Sequence, residues 1–165
     1  MGNPAGLQFF DSSTDINWLN MSKQGNGEKR AILIVEDSSD FSNLMKFVIE
    51  DMGFEGVQFP VDEEDIVGWA KKCTPVTILM DLALRRKGGM QFIDELKADP
   101  STCDISIVII TGRELSQKDI QALQVRNVKY LRKGRVEMQE IKKAISEAAL
   151  RKSKPASNKA KKVDE

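Results

Sequence analysis

A few side chains in this sequence are of the types, and at the spacings, that could do chemistry together. The acid pair Glu36-Asp37 and the single acid Asp81 each follow directly on a short apolar run. Thr111 and Lys133 close two further runs. Carboxylates gathered at one place repel each other, and a hard divalent cation relieves that repulsion. Magnesium suits such a set best, because it accepts a few carboxylates and keeps waters for a phosphate-bearing partner. An ammonium from Lys133 and a hydroxyl from Thr111 beside the same carboxylate complete what phosphoryl transfer requires: neutralised oxygens and an aligned nucleophile. Taken singly, each residue has a plainer explanation. Acids at strand ends are often only solvated, Thr111 can cap the helix after it, and Lys133 can be a surface lysine. Their combination is what argues for a site.

The elements that must position these residues are legible from the hydrophobic pattern. Val76-Thr77-Ile78-Leu79-Met80 runs straight into Asp81, as 31–35 runs into Glu36-Asp37 and 105–110 into Thr111. Unbroken apolar runs of this length suit strands buried on both faces, as in a parallel sheet. The sequence predicts further strands at 54–59 and 128–132. Helices are expected at 39–52 after a Ser38-Ser39 cap, with Gly53 just past its end, and at 62–72, opening on four acids. Others are expected at 90–98, 116–124 and 136–150. This βα alternation implies an α/β fold, a doubly wound five-stranded parallel sheet with helices on both faces. In such sheets ligands bind at the C-terminal ends of the strands, where the candidate residues fall.

Composition narrows the function. The 165 residues include no histidine, which excludes Ser-His-Asp triads, histidine-ligated zinc and phosphohistidine chemistry within the chain itself. Cys73 and Cys103 lack metal-ligand spacing, so free thiols are expected. No apolar run is long enough to span a membrane, and the N-terminus is acidic and polar where a signal peptide would be basic and then apolar. A cytoplasmic location is expected, with no membrane partner. The net charge of zero is uneven: 6 basic and 2 acidic residues fall in 151–165. That stretch reads as a disordered basic tail with no specific nucleic-acid partner. Residues 1–29 read as an N-terminal arm, partly ordered. Its Leu7, Phe9, Phe10, Ile16, Trp18 and Leu19 fit either short docked helices or a loosely ordered tail.

With these positions in place, residues 30–150 resemble the receiver domain of two-component response regulators, in particular the chemotaxis-regulator type. The match lies in the spacings: 44 residues from Asp37 to Asp81, 30 from Asp81 to Thr111 and 22 from Thr111 to Lys133. Tyr130 stands three before the lysine, at the place of the family's switch aromatic, and Gly89 eight after Asp81, at the place of a loop glycine. The resemblance implies a flavodoxin-like fold with strand order 2-1-3-4-5. It implies that Asp81 is the phosphoacceptor, served by a histidine kinase or histidine phosphotransfer protein. Asp37, Asp81 and the backbone carbonyl of Ala83 would ligate Mg²⁺, and Glu36 would act through a bound water. Thr111 and Lys133 would hold the phosphoryl oxygens, Gly112 would leave room for them, and Thr111 with Tyr130 would form the switch. Ala83 and Arg113 would stand where the family places or blocks the hydrolytic water. Tyr130 is open to a plainer reading as a half-buried strand aromatic.

Two departures accompany the match. Gly134 follows Lys133 where the family usually has proline, and the loop after Asp81 reads Arg85-Arg86-Lys87 where the family holds a proline and a methionine. Those cations either steer an acidic partner or are simply solvated. The function implied is a stand-alone phosphoacceptor rather than an enzyme, catalysing only its own phosphorylation and dephosphorylation. Only 15 residues follow Leu150, so output is expected through protein–protein contact with a downstream target or by phosphoryl relay. The alternative is a receiver-shaped interaction module that acts without phosphorylation. A phosphatase using an Asp-x-Asp strand end is set aside, because the third residue is Ala83.

Overall fold

A computed structural model of the chain describes residues 29–151, so the arm and the tail lie outside the described residues. The chain alternates strand and helix throughout: β1 (Ala31–Val35), α1 (Ser39–Asp51), β2 (Glu55–Gln58), α2 (Ile66–Cys73), β3 (Thr77–Met80), α3 (Gly89–Ala98), β4 (Ser106–Thr111), α4 (Gln117–Val125), β5 (Lys129–Arg132) and α5 (Met138–Arg151). All five strands are parallel, in the order β2-β1-β3-β4-β5. The doubly wound fold expected from the sequence is the one observed.

The strands are apolar without a break because both of their faces are covered. Successive side chains point to opposite faces. Ile32 and Ile34 therefore enter one core with Val108, Ile110, and the Met45 and Ile145 of α1 and α5. Leu33 and Val35 enter the other with Ile78, Met80, Ile109, and the Ile66, Phe92 and Leu123 of α2, α3 and α4. Among the described residues both cysteines are free thiols, and no helix is long and apolar enough to cross a membrane.

The register carries the candidate residues to one edge. Val35 pairs with Met80, Met80 with Ile109, and Thr111 with Arg132. The residues that follow, Glu36, Asp37, Asp81 and Lys133, leave the sheet beside Thr111. Ser38 caps α1 as expected, and Gly53 takes the positive φ of 87° that its place past the helix requires.

One helix boundary corrects the sequence reading. The four acids do not open α2, which starts only at Ile66 with Asp65 as its cap. Glu63 instead folds the preceding turn on itself, accepting the amides of Glu64 and Asp65 at 2.9 Å each and the Trp69 indole N–H at 3.2 Å. These bonds hold the Glu63 carboxyl below its usual range. Acids near a helix start favour its dipole, but side chains that bond their own backbone compete with the helix, and here they delay it. The other boundaries differ by a residue or two, as helix and strand ends do.

Candidate functional site at the sheet edge

Asp81 sits one residue past β3, its amide still on the sheet ladder through Val35 O at 3.0 Å. Its side chain is 92 % covered, with one oxygen on each side of a divided task. Oδ1 accepts the Ala83 amide at 2.9 Å, and Oδ2 accepts Lys133 Nζ at 2.8 Å. Burial alone would push this carboxyl up. The hydrogen bond from Lys133, the amide of Ala83, the hydroxyl of Thr111 and the lysine's charge outweigh it, and hold the carboxyl below its ordinary 3.8. Asp81 is therefore a carboxylate at neutral pH, the state a nucleophile needs.

Lys133 reaches the same point from the far side of the sheet. Its backbone amide extends the β4–β5 ladder to Thr111 O at 2.9 Å. Its Nζ lies 2.6 Å from Glu36 Oε2 as well as 2.8 Å from Asp81 Oδ2, and 4.3 Å above the Phe41 ring. Burial pulls the ammonium's pKa down, but the hydrogen bonds and charges of Asp81 and Glu36 raise it above 10.5. Gly134 has φ of 78°, and the described residues contain no cis peptide, so the lysine is presented from a trans, left-handed turn.

The remaining positions are placed as follows. Glu36 Oε1 accepts the Ser38 amide at 2.9 Å. Asp37 Oδ2 accepts the Arg85 amide at 2.6 Å, which turns that carboxylate towards the β3–α3 loop. Thr111 is 1 % exposed, and its hydroxyl accepts the Arg113 amide at 3.2 Å. The cap of α4 is Ser116, so Thr111 has no capping duty. A Cβ on Gly112 would meet only Lys133 Cβ, at 3.9 Å, which leaves open space above Lys133. Tyr130 is 39 % exposed and lines an open cleft of about 200 Å³ together with Thr111, Arg113, Ile120 and Arg132.

The structure thus brings Glu36, Asp81 and Lys133 into direct contact, with Thr111 close enough to bear on Asp81. Asp37 accepts the Arg85 amide instead. Among the described residues no three acids converge closely enough to hold a metal ion, and Lys133 serves as counter-ion to two of them. In donor chemistry alone, the hard carboxylate oxygens of Asp37 and Asp81 are of the kind Mg²⁺ accepts.

Several participants escaped the sequence reading. Phe41, inside α1, carries Lys133 on its ring, and no motif at that position signals it. Asp119 pairs with Arg113 at 3.4 Å and closes a capping box with Ser116. The Ser-x-x-Asp pattern at 116–119 was there to be found. The Arg85 amide, by contrast, has no signature in sequence.

Residues 32–146 match the family described as the response regulator receiver domain. The chain belongs to that family. Receiver domains in general are phosphorylated by histidine kinases, bind Mg²⁺ for that step, and signal to downstream targets rather than catalyse. Among curated relatives, the phosphate regulon transcriptional regulatory protein PhoB of Escherichia coli is 33% identical over 104 residues, covering 63% of this chain and 45% of that protein. The cyclic di-GMP phosphodiesterase response regulator RpfG of Xanthomonas campestris is 29% identical over 112 residues, covering 67% of this chain and 28% of its own. The chain therefore spans less than half the length of either relative. Among solved structures, a response regulator receiver domain protein from Clostridium thermocellum is 26% identical, with TM-score 0.64, covering 74% of this chain and 96% of that one. A chemotaxis protein from Vibrio cholerae, 18% identical, has TM-score 0.63 over 72% of this chain and 98% of its own, a likeness of fold. Strand order and parallel register in this receiver domain agree with that fold.

Proposed function

We propose that this receiver domain accepts a phosphoryl group on Asp81 from a phosphohistidine of a partner kinase or phosphotransfer protein, and signals through protein–protein contact. The observation that carries this reading is the ammonium of Lys133 between Asp81 and Glu36, at 2.8 and 2.6 Å. A buried, ionised carboxylate beside a fixed cation is a nucleophile with a ready counter-charge for the arriving oxygens. Asp81 Oδ would attack phosphorus as the P–N bond breaks, and the imidazole would leave with that electron pair. Lys133 would then pair a phosphoryl oxygen, and Thr111 would bond another across the space that Gly112 keeps open.

Mg²⁺ would be held by Asp37, Asp81 and the Ala83 carbonyl, with Glu36 acting through water, and would neutralise charge on the transferring group. Asp37→Asn keeps an acceptor for the Arg85 amide and removes a charge. Titration calorimetry is expected to show Mg²⁺ affinity at least about tenfold weaker in that variant, with the fold intact. Unchanged affinity would take Asp37 out of the site.

The signal would leave through the cleft beside Thr111. A phosphoryl group adds about −1.5 to −2 charges next to Thr111 and Lys133. Movement of Thr111 towards it would let Tyr130, now half exposed, turn inward and reshape the face formed by α4, β5 and α5. This is a population shift, limited by how differently the two states bind the group.

A further inference from the structure

The β3–α3 loop, residues 82–88, carries two of the hydrogen bonds that shape the site: the Ala83 amide on Asp81 and the Arg85 amide on Asp37. Both ends of the loop are firm. The near end leaves β3. At the far end α3 lies directly on the phosphoacceptor's backbone, because a Cβ on Gly89 would come within 2.7 Å of Asp81 O and Leu82 Cα. Between these ends the chain reads Leu84-Arg85-Arg86-Lys87.

The three cations have different surroundings. Arg85 is exposed. Arg86 meets Asp62 at 3.4 Å, with side chains 57% and 85% exposed, and ion pairs so open to water contribute little. Lys87 is only 17% exposed. Its Nζ lies 2.5 Å from Glu95 Oε1 of α3, 3.3 Å from the Glu64 carbonyl before α2, and 5.2 Å from the Phe92 ring centre. Phe92 packs edge-on against Phe59 at 5.6 Å, and Phe59 against Trp69 at 5.9 Å. One partly buried ammonium thus fastens the loop both to α3 and to the segment ahead of α2.

We propose that Lys87 is a positioning residue for the phosphoacceptor site: its ammonium clasps the β3–α3 loop against Glu95 and Glu64, and so keeps the Ala83 and Arg85 amides on Asp81 and Asp37. The proposal rests on the reading of Asp37 and Asp81 as metal-binding carboxylates. An apolar side chain of similar length fills the same space over Phe92 but has nothing to offer the Glu64 carbonyl or the Glu95 carboxylate. The hold on the loop is electrostatic, and groups that orient metal ligands from behind commonly change metal affinity by about 10–100-fold.

The full chain is compared with Lys87→Met, which keeps volume and removes charge, and Lys87→Arg, which keeps charge. Two quantities are read: amide hydrogen exchange of Ala83 and Arg85 in metal-free protein, against β1 and β3 amides as a gauge of global stability, and Mg²⁺ affinity by calorimetry. In Lys87→Met the Arg85 amide is expected to exchange about tenfold faster with β3 unchanged, and Mg²⁺ to bind about tenfold more weakly. Lys87→Arg should return both to within about threefold of wild type. Wild-type behaviour of Lys87→Met in either quantity would overturn the clasp. So would equal acceleration of the β1 and β3 amides, which marks a merely structural role. If the wild type binds no Mg²⁺, the reading of the site itself falls, and the exchange contrast at Arg85 and Ala83 decides the clasp alone.

Discussion

Lys133 stands between two carboxylates whose charges it offsets, and its loss should be felt through them. Removing it leaves Asp81 and Glu36 facing each other largely out of water, at a cost of about 1–3 kcal/mol near neutral pH. Lys133→Met is therefore expected to unfold at lower urea concentration than wild type at pH 7, the gap closing in acid as Asp81 loses its charge. The wild-type dependence on pH follows from the two shifts. Asp81 titrates lower in the folded chain than its ordinary 3.8, so its contribution is present above that value and is lost as pH falls through the folded value. Lys133 titrates above 10.5, so its contribution is complete below 10.5 and is lost as pH rises through the folded value. Metal-free protein should hold the ion cluster intact between about pH 5 and 10, read by urea midpoints across that range. A second expectation at this scale concerns lifetime. Ala83 offers no group to hold a hydrolytic water, so phosphorylated protein should decay slowly. Ala83→Asn should speed that decay, measured after the phosphodonor is removed. These particulars were the least legible part of the sequence. Residue types and spacings brought out Glu36, Asp37, Asp81, Thr111 and Lys133, but which carboxylate takes the ammonium and which turns to Arg85 depends on contacts 48 to 97 residues apart.

The elements differ in how firmly they hold the site. β3 is fully buried, and the hydroxyl of Thr77 has no hydrogen-bond partner among the described residues. Thr77→Val keeps the shape and removes that unpaired group, so urea unfolding should show a gain of about 1–2 kcal/mol with Mg²⁺ binding at Asp81 unaltered. Gly89 is the opposite case. The atoms that a new Cβ would strike are backbone, and Gly89→Ala is expected to cost about 1–3 kcal/mol and to shift the amides of 81–84 in NMR spectra. The strands were legible because each is a short apolar run ended by a polar residue. α1 was legible from its caps and its spacing. The start of α2 was not, because acids that favour a helix dipole also bond their own turn, as Glu63 does. α4 buries only Leu123, so its amphipathic signal is weak, and its true mark is the Ser116–Asp119 capping box.

At the scale of the whole molecule, the parallel register is what turns residues scattered from 36 to 133 into one edge, and the same register puts Thr111 between that edge and the α4–β5–α5 face. Phosphorylation should therefore be read at a distance: amide shifts are expected through 116–145, and shifts confined to the loops around Asp81 would argue against a switch. Doubly wound architecture could be foreseen from the βα alternation, since covered sheet faces dictate unbroken apolar strands. The shape of the cleft beside Tyr130 could not, because it depends on how loosely α4 sits on β5. All of this turns on whether Asp81 accepts a phosphoryl group. The most direct measurement is intact mass followed by peptide mapping after incubation with a small-molecule phosphodonor, with Mg²⁺ or with a chelator, for wild type and Asp81→Asn. One phosphoryl group on Asp81, formed only with Mg²⁺ and absent from Asp81→Asn, is the expected result. A wild-type chain that stays unmodified with Mg²⁺ and donor in excess, or a group that maps elsewhere, would contradict it.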